Sequence, residues 1–302
     1  MHLDLIENIV QDSERILKGK QQQVKLVIGN ILARGHTLIE DAPGVGKTTL
    51  VKYIGKSLGM NISRIQFTND LLPADILGSS IFNKQSHSFD FHPGPIFGEL
   101  VLADELNRAP PKTQSALLQA MEEKQVSIEA NTYQLPNHFT VIATQNPNVQ
   151  IGTFSLPESQ LDRFSLKLKM GYPDKQSTID LLKMTNAQTL LNACKQLLSV
   201  EQLINTQDHI ASLHLDESIY ELIYQILQHS RHNNQLIPLS NRCGLDLVSF
   251  SKSWAYLNAR DYVIPDDIFT IFPYVAGHRL IHPDNSDVNH EAKLADDLLN
   301  SI

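Results

Sequence analysis

Residues 38–50 read LIEDAPGVGKTTL, and the order of features in this stretch decides the fold. A short apolar run that begins at Thr37 predicts a buried strand, a loop with two glycines follows, and Lys47 opens a helix. The loop consists of Asp41, Ala42, Pro43, Gly44, Val45 and Gly46. Successive backbone N–H groups in such a loop form a nest for phosphate, and the helix N-terminus adds positive partial charge. The stretch therefore predicts a nucleotide-binding α/β fold.

The first helical residues carry the expected nucleotide contacts. Lys47 would reach the β- and γ-phosphates, the Thr48 hydroxyl would bind Mg²⁺, and Thr49 completes the first turn. The loop departs from G-x-x-x-x-G-K-[ST] at its first position, where Asp41 replaces glycine. Aspartate tolerates left-handed angles, but its carboxylate suits a triphosphate only if it points away. The alternative interpretation is a helix-entry turn that binds no ligand.

Two acids end the next apolar strand, in ELVLADE at residues 99–105. Ligands bind beyond the carboxyl ends of parallel strands, which places these acids near the phosphates. Asp104 would then bind Mg²⁺, and Glu105 would polarise the attacking water. An acidic strand exit at the surface is the alternative, and the upstream phosphate loop favours the functional interpretation.

Two later residues are weaker candidates on spacing alone. Asn146 follows a third buried strand at 139–144, and it would lie beside Asp104 if those strands are neighbours. An amide there can orient the attacking water. Arg163 ends a short helix at 155–164, and its position next to Asp162 favours a surface ion pair.

The composition is typical of a globular protein of one large domain or two modest ones: 302 residues, 42% hydrophobic and 19% charged. A formal net charge of −8 argues against binding to nucleic-acid phosphates or to an anionic membrane surface. The apolar runs are too short for a membrane helix, which needs about 18 residues. Cys194 and Cys243 are expected to be reduced thiols, and the expected location is cytoplasmic.

The chain divides at Gly171-Tyr172-Pro173. We expect an α/β domain over residues 1–172 and an all-α domain over residues 173–302. Within the first, residues 69–97 form a long segment rich in turn residues that predicts an ordered insert with a small hairpin. A second hairpin is expected over 126–138, with strands that turn at Ala130-Asn131 and continue to Phe139. The polar stretch after Pro283 predicts a loose tail.

Over residues 14–282 the chain resembles the MoxR family of AAA+ ATPases. The matching strings are RIQFTNDLLPADILG (64–78), FHPGPIFGELVLADELNRAPPKTQSALLQAMEE (91–123), FTVIATQNP (139–147), LPESQLDRF (156–164), GYPD (171–174), ARDYVIPDDI (259–268) and GHRL (277–280). Asp41 is a known type of variation in this family. Lys20 and Asn241 differ from the family, which usually has glutamine and proline at these positions.

The resemblance implies a parallel α/β ATPase domain followed by a helical lid, and it assigns roles. The residues are Lys47 and Thr48 of Walker A, Asp104 and Glu105 of Walker B, Asn146 of sensor 1, Arg163 as arginine finger and Arg242 as sensor 2 on the lid. Arg108 is a second candidate for contact with a neighbouring subunit. Segment 69–97 resembles the helix-2 insert and hairpin 126–138 the pre-sensor-1 insert, both of which would face a pore or a partner.

The implied activity is Mg²⁺-dependent ATP hydrolysis at the subunit interfaces of a ring, expected to be a hexamer. Its output would be chaperone-like remodelling, assembly or metal-cofactor maturation of a protein, with a von Willebrand A-domain protein as partner. Two alternatives stay open: a slow nucleotide-dependent scaffold and a nucleic-acid motor, which the acidic balance disfavours.

Overall fold

The computed structural model describes residues 2–85, 87–129, 131–146, 152–183, 187–233, 236–280 and 290–299. The strands are β1 Thr37–Glu40, β2 Ile62–Gln66, β3 Gly78–Asn83, β4 Ser88–Pro93, β5 Leu100–Asp104, β6 Gln125–Ile128, β7 Asn131–Gln134, β8 Thr140–Gln145 and β9 Leu166–Leu168. The helices are α1 Leu3–Asp12, α2 Gln21–Leu32, α3 Lys47–Ser57, α4 Pro73–Leu77, α5 Pro111–Glu123, α6 Glu158–Leu161, α7 Lys175–Lys183, α8 Ala187–Ala193, α9 Val200–Ala211, α10 Glu217–His232, α11 Asn241–Leu257, α12 Pro265–Ala276 and α13 His290–Leu299.

Five strands form a parallel sheet in the order β2-β5-β8-β1-β9. Side chains alternate between its two faces. Leu100 and Leu102 pack into the core that contains α2, α3 and helices of the carboxyl-terminal half, whereas Val101 and Ala103 pack into the core that contains α5. Both faces are therefore covered, which explains why β5 and β8 are buried along their whole length. The predicted α/β sheet followed by an all-α region is confirmed.

The first two helices pack against the helical region as well as against the sheet. Gly29 of α2 faces Phe250 and Leu257 of α11, and a Cβ atom at position 29 would lie 2.9 Å from the Phe250 ring. The Ser253 hydroxyl also donates a hydrogen bond to the Gly29 carbonyl oxygen at 2.7 Å. One continuous apolar core thus joins the amino-terminal helices to α9–α12.

The two hairpins lie side by side. β3 pairs with β4 in the insert, as predicted, and Phe91 of β4 stacks on Tyr133 of β7 with ring centroids 4.1 Å apart. The second hairpin pairs β6 with β7, so the prediction that its second strand continues to Phe139 is wrong. Pro136 has no N–H for a ladder, and the Leu135 N–H instead donates to the Lys124 carbonyl oxygen, which closes the hairpin.

The carboxyl-terminal stretch contains a docked helix. Ala295 and Leu298 of α13 are buried, and this helix contacts α10 and α12. The prediction of a loose tail is therefore wrong for α13, because its apolar residues recur at helical spacing and find a core to enter. Residues 281–289 lie outside the described part of the chain. Among the helices of that described part, none is long and apolar enough to cross a membrane.

A buried histidine connects the start of β1 to two neighbouring elements. His36 Nδ1 accepts a hydrogen bond from the Val141 N–H at 3.0 Å, and Nε2 lies 3.3 Å from the Met121 carbonyl oxygen. These partners favour the neutral ring with its proton on Nε2. Burial lowers the pKa of His36 from 6.5 to about 4.

We predict that His36 makes the protein lose stability in mild acid. Between pH 6.5 and about 4, His36 is protonated in the unfolded chain but stays neutral in the folded protein. The free energy of unfolding therefore falls across this window, by up to about 3 kcal/mol from this group. Urea unfolding of wild type and of His36→Gln across the window measures the effect. The variant should show a shallower fall with pH, and His214→Gln, at an exposed position, should keep the wild-type slope. Equal slopes in all three proteins would contradict the assignment.

Candidate active site

The phosphate loop connects β1 to α3 at the carboxyl edge of the sheet. Gly44 has φ +85° and Gly46 has φ +94°, which are left-handed angles that glycine adopts without steric cost. Gly46 directly precedes α3, so Lys47, Thr48 and Thr49 form its first turn. The helix N-terminus and the loop N–H groups therefore lie at the edge where the sequence predicts phosphate binding.

The Asp41 carboxylate is held by backbone groups of two segments. One oxygen accepts a hydrogen bond from the Ala42 N–H at 2.7 Å, and the other accepts one from the Gly171 N–H at 2.6 Å. Lys20 Nζ donates to the carbonyl oxygens of Met170 at 2.7 Å and Gly171 at 3.0 Å. Two positions noted in the sequence, Lys20 and Asp41, thus meet at the segment that leaves β9. The Asp41 carboxylate has partners of its own beside the loop.

Lys47 reaches across the loop to the neighbouring strand. Its Nζ donates to the Asp41 carbonyl oxygen at 2.5 Å and to Asn146 Oδ1 at 3.0 Å. Burial lowers the pKa of Lys47, while the nearby carboxylates of Asp41, Asp104 and Glu105 oppose that shift. A cation surrounded by neutral oxygens and near carboxylates is suited to take up a phosphate.

One hydroxyl orients both acids at the end of β5. The Thr144 hydroxyl on β8 donates to Asp104 Oδ1 at 2.7 Å and accepts from the Glu105 N–H at 3.0 Å. Glu105 has φ +59° and ψ +47°, a left-handed conformation that is uncommon for a residue with a side chain. Such strain persists where surrounding contacts enforce it, and it is concentrated at functional sites.

Three side chains surround the Glu105 carboxylate. Asn146 Nδ2 donates to Oε1 at 3.3 Å, and Gln66 Nε2 donates to Oε2 at 3.0 Å. Arg108 Nε forms an ion pair with the same Oε2 at 3.1 Å. Strands β5 and β8 are neighbours in the sheet, as predicted. This pairing places the Asn146 side chain within hydrogen-bond distance of both Glu105 and Lys47.

The buried Asp104 carboxylate has a cation beside it. Arg64 Nη2 on β2 donates to Asp104 Oδ2 at 2.7 Å, and the Arg64 side chain is half exposed. The site therefore demands positive charge, and a carboxylate with a nearby hydroxyl is the hard-oxygen donor set that Mg²⁺ prefers. The Asp104 carboxylate is an oxygen donor of this kind, and the assignment of Asp104 and Thr48 as magnesium ligands stays a prediction.

Arg163 and Arg242 lie at the opposite edge of the sheet. Arg163 precedes β9, and the Leu166 N–H that begins β9 donates to the His36 carbonyl oxygen just before β1. The four residues of β1, roughly 13 Å of strand, separate this edge from the phosphate loop. Both arginines pair with Glu122 at the end of α5, Arg163 at 2.8 Å.

These positions correct one expectation and leave another untested. Arg163 does not pair with Asp162, as its spacing suggested, because Glu122 on α5 takes its guanidinium. Arg242, at the start of α11, pairs with Glu122 and lies 3.9 Å from a carboxylate oxygen of Asp162. The predicted contact between Arg242 and nucleotide stays a prediction.

Comparisons with known proteins point to one family of ATPases. Residues 36–166 match the model of the ATPase family associated with various cellular activities (AAA), and residues 237–302 match the AAA lid domain. The YeaC protein of Bacillus subtilis is 43% identical over 93% of this chain and 88% of its own length. The chaperone MoxR1 of Mycobacterium tuberculosis is 36% identical over 91% of this chain and 75% of its own length.

The chain belongs to the MoxR family of AAA+ ATPases. A crystal structure of a Cytophaga hutchinsonii protein, described as an inferred ATPase, superposes with a TM-score of 0.88 at 32% identity, and it covers 100% of this chain and 95% of that one. This MoxR-family protein is therefore an ATPase with a helical lid, and the residues above are its candidate site.

Sequence reasoning missed several contacts in this MoxR-family site. Thr144, Gln66 and Arg64 carry no motif of their own that marks a catalytic role. The one available signal is their position: each lies at or near the carboxyl end of a strand that neighbours β5 in the sheet. Strand order was not known from the sequence, so this signal could not be used there.

We predict that Thr144→Val slows hydrolysis without preventing ATP binding. The isosteric change leaves the Glu105 N–H without its acceptor and Asp104 without one donor, at a cost of about 1–3 kcal/mol. If that cost falls on the transition state, kcat drops by about 10- to 100-fold. Steady-state kinetics and nucleotide titration measure the two effects. The matched control is Thr140→Val, a buried threonine at the amino end of the same strand, which should keep kcat. An unchanged kcat in Thr144→Val would remove Thr144 from this role.

Proposed function

We propose that this MoxR-family protein hydrolyses ATP with Mg²⁺ at the interfaces between subunits of a ring. The observation that carries the proposal is the division of the candidate residues between two edges of one sheet. Lys47, Glu105 and Asn146 meet at the carboxyl edge, whereas Arg163 and Arg242 lie at the amino edge. We infer that the two groups of residues contact one nucleotide only when the carboxyl edge of one chain meets the amino edge of a neighbouring chain.

The phosphate-binding half is supplied by residues 41–49. Loop N–H groups and the α3 N-terminus bind the phosphates, and Lys47 exchanges its oxygen partners for the β/γ-phosphates. Thr48 and Asp104 would hold Mg²⁺, which neutralises charge on the phosphates when bound. Within the described residues there is no cluster of three or more acidic, histidine or cysteine ligands. Mg²⁺ binds through one or two carboxylates together with substrate phosphates, and Asp104 is the proposed carboxylate here.

The water-activating half is Glu105 with Asn146. The Glu105 carboxylate is oriented by its own strained backbone and by the Asn146 amide at 3.3 Å. It would accept a proton from the attacking water while Asn146 keeps that water in line. Gln66 and Arg108 also contact Glu105, so they must rearrange or share it when water binds.

The transition-state charge is assigned to arginines of the neighbouring chain. Arg163 is the proposed finger, and Arg242 accompanies it because both pair with Glu122. Arg108 is the weaker candidate, because its guanidinium pairs with Glu105 of its own chain at 3.1 Å. An arginine supplied in trans contributes about 10³- to 10⁵-fold to kcat in other phosphoryl-transfer enzymes.

The proposed output is chaperone-like work on another protein, in a cytoplasmic hexamer whose partner carries a von Willebrand A domain. The name of the relative MoxR1 supports the chaperone class. The insert hairpin adds an exposed aromatic pair, Phe82 and Phe89, that a protein client could contact. Assembly and metal-cofactor maturation are the specific forms of this work that we propose. We also propose that the α/β ATPase domain ends at residue 172 and that the helical lid domain begins at residue 173.

Two other functions are separable by experiment. A slow scaffold would bind ATP but turn it over no faster when partner or client is added. A nucleic-acid motor would bind DNA in a salt-dependent filter assay, which the net charge of −8 disfavours.

We predict that ATPase activity per subunit rises with protein concentration and depends on Arg163. Shared sites form only when chains associate, so dilution should lower specific activity. Arg163→Ala should keep ATP binding and lose about 10³-fold or more in kcat. Arg242→Ala should also lose kcat while its binding of ATP remains.

The control is Arg15→Ala, because Arg15 is an exposed arginine whose ion pair in the described part of the chain is with nearby Asp12. It should match wild type at every concentration. Specific activity that is flat with concentration and unaffected by Arg163→Ala would overturn the shared site.

A further inference from the structure

Arg279 is buried beside the backbone of Arg163. Its Nη2 donates to the Asp162 carbonyl oxygen at 2.8 Å and to the Phe164 carbonyl oxygen at 3.1 Å. These are the residues immediately before and after Arg163. The Arg279 guanidinium therefore fixes the turn that carries Arg163 without touching the Arg163 side chain.

The same guanidinium is anchored in the helical region. Nη2 donates to Asp246 Oδ2 of α11 at 2.6 Å, and Nη1 donates to the Val275 carbonyl oxygen of α12 at 3.1 Å. His278, the preceding residue, has Nε2 3.0 Å from the Phe164 carbonyl oxygen. Two consecutive side chains after α12 thus hold one turn of the ATPase domain.

The Asp162 carboxylate completes the connection. It accepts a hydrogen bond from the Ser240 hydroxyl, the N-cap of α11, at 2.9 Å, and Arg279 Nε lies 2.9 Å from Oδ1. Arg242 Nη1 lies 3.9 Å from the other carboxylate oxygen. The turn before β9 and the start of α11 therefore share one polar cluster, with Arg163 and Arg242 side by side at its rim.

We propose that Arg279 is a positioning residue for hydrolysis in the neighbouring subunit: it holds Arg163 in register with Arg242 and ties both to the lid helices. The proposal rests on the shared site proposed above. A lysine could not replace this arginine, because one ammonium group cannot reach three carbonyl oxygens and two carboxylates in the directions that this planar guanidinium does.

The polar cluster also couples the position of the lid helices to the active site that Arg163 enters in the neighbouring chain. Asp246 and Val275 lie on lid helices, whereas Asp162 and Phe164 flank the finger. A shift of α11 or α12 would move the Arg279 guanidinium and with it the Arg163 backbone. The state of one chain's lid would thereby set the hydrolysis rate at its neighbour's nucleotide, and the lid need not contact that nucleotide.

The first measurement compares Arg279→Lys with Arg260→Lys. Arg260 forms a bidentate pair with Asp267 in the same helical region, at 2.6 and 2.5 Å, and its other hydrogen bond goes to the Tyr262 carbonyl oxygen. Arg279→Lys should lower kcat by about 100-fold, the cost of a misplaced group, with KM for ATP changed less than about threefold. Arg260→Lys should leave both constants near wild type. Asp246→Asn, which removes the negative charge of the α11 anchor at nearly the same shape, should follow Arg279→Lys in direction and serves if that variant fails to fold.

The second measurement asks whether the defect acts in trans. Each variant is co-expressed with Glu105→Gln and purified through two different affinity tags. A Glu105→Gln subunit has no catalytic carboxylate but an intact finger, so it should restore hydrolysis at the site of an Arg279→Lys neighbour. Arg163→Ala with Glu105→Gln is the reference pair. A variant damaged only in its own fold or its own phosphate loop gains nothing from such a neighbour.

Recovery in both pairs, above the sum of the separate variants, is the expected result. Recovery for Arg163→Ala but not for Arg279→Lys or Asp246→Asn would overturn the positioning role and leave the shared site intact. An unchanged kcat in Arg279→Lys would do the same. Failure of recovery in the Arg163→Ala reference pair would overturn the shared site, and the role of Arg279 would fall with it.

Discussion

The parallel direction of the five strands in the sheet determines which groups of the candidate site lie close together. Parallel strands end at the same edge, so the groups that follow β1, β5 and β8 converge while anything that precedes β9 lies at the other edge. Lys47, Glu105 and Asn146 therefore meet within hydrogen-bond distance, and Arg163 is kept a strand's length away. The proposed division of the active site between chains follows from this topology.

Polar side chains at the carboxyl edge satisfy one another. Lys47 bonds Asn146, Arg64 bonds Asp104, and Arg108 pairs with Glu105. A buried charge without a partner is costly, so these contacts keep the site stable as the structure presents it. Phosphate and Mg²⁺ would compete with the same partners. Nucleotide binding in this arrangement is an exchange of ionic contacts, and it would release Arg64 and Asn146 for other contacts.

The sequence predicts the local parts of the site well. A phosphate loop, an acidic strand exit and an asparagine after a strand are each defined by a few consecutive residues, and strand ends position them. The contacts of Thr144 and Gln66 depend on strand order and register, which neighbouring residues do not encode. The position of Arg242 depends on where the whole helix α11 packs, and its partner Glu122 is 120 residues away along the chain.

Two errors in the fold have the same origin. The second hairpin ends before Pro136 because ladder bonding, and not apolar pattern, decides where a strand stops. The helix α13 forms in a stretch of polar composition because α10 and α12 offer it a surface. Intrinsic preference is a weak guide wherever tertiary contacts supply most of the stabilisation.

Charged groups in the buried cluster around Arg279 restrict geometry more than they add stability. A buried ion pair returns little net stability, because desolvation offsets most of the attraction, and apolar side chains would stabilise the contact at least as well. An apolar contact, however, tolerates sliding, whereas a guanidinium that bonds two carbonyl oxygens and a carboxylate permits one arrangement. In the proposed shared site, the turn that carries Arg163 must present its side chain to another chain with little positional freedom. A planar, multiply bonded cation beneath that turn meets this demand, and its link to Asp246 makes the lid part of the same rigid unit.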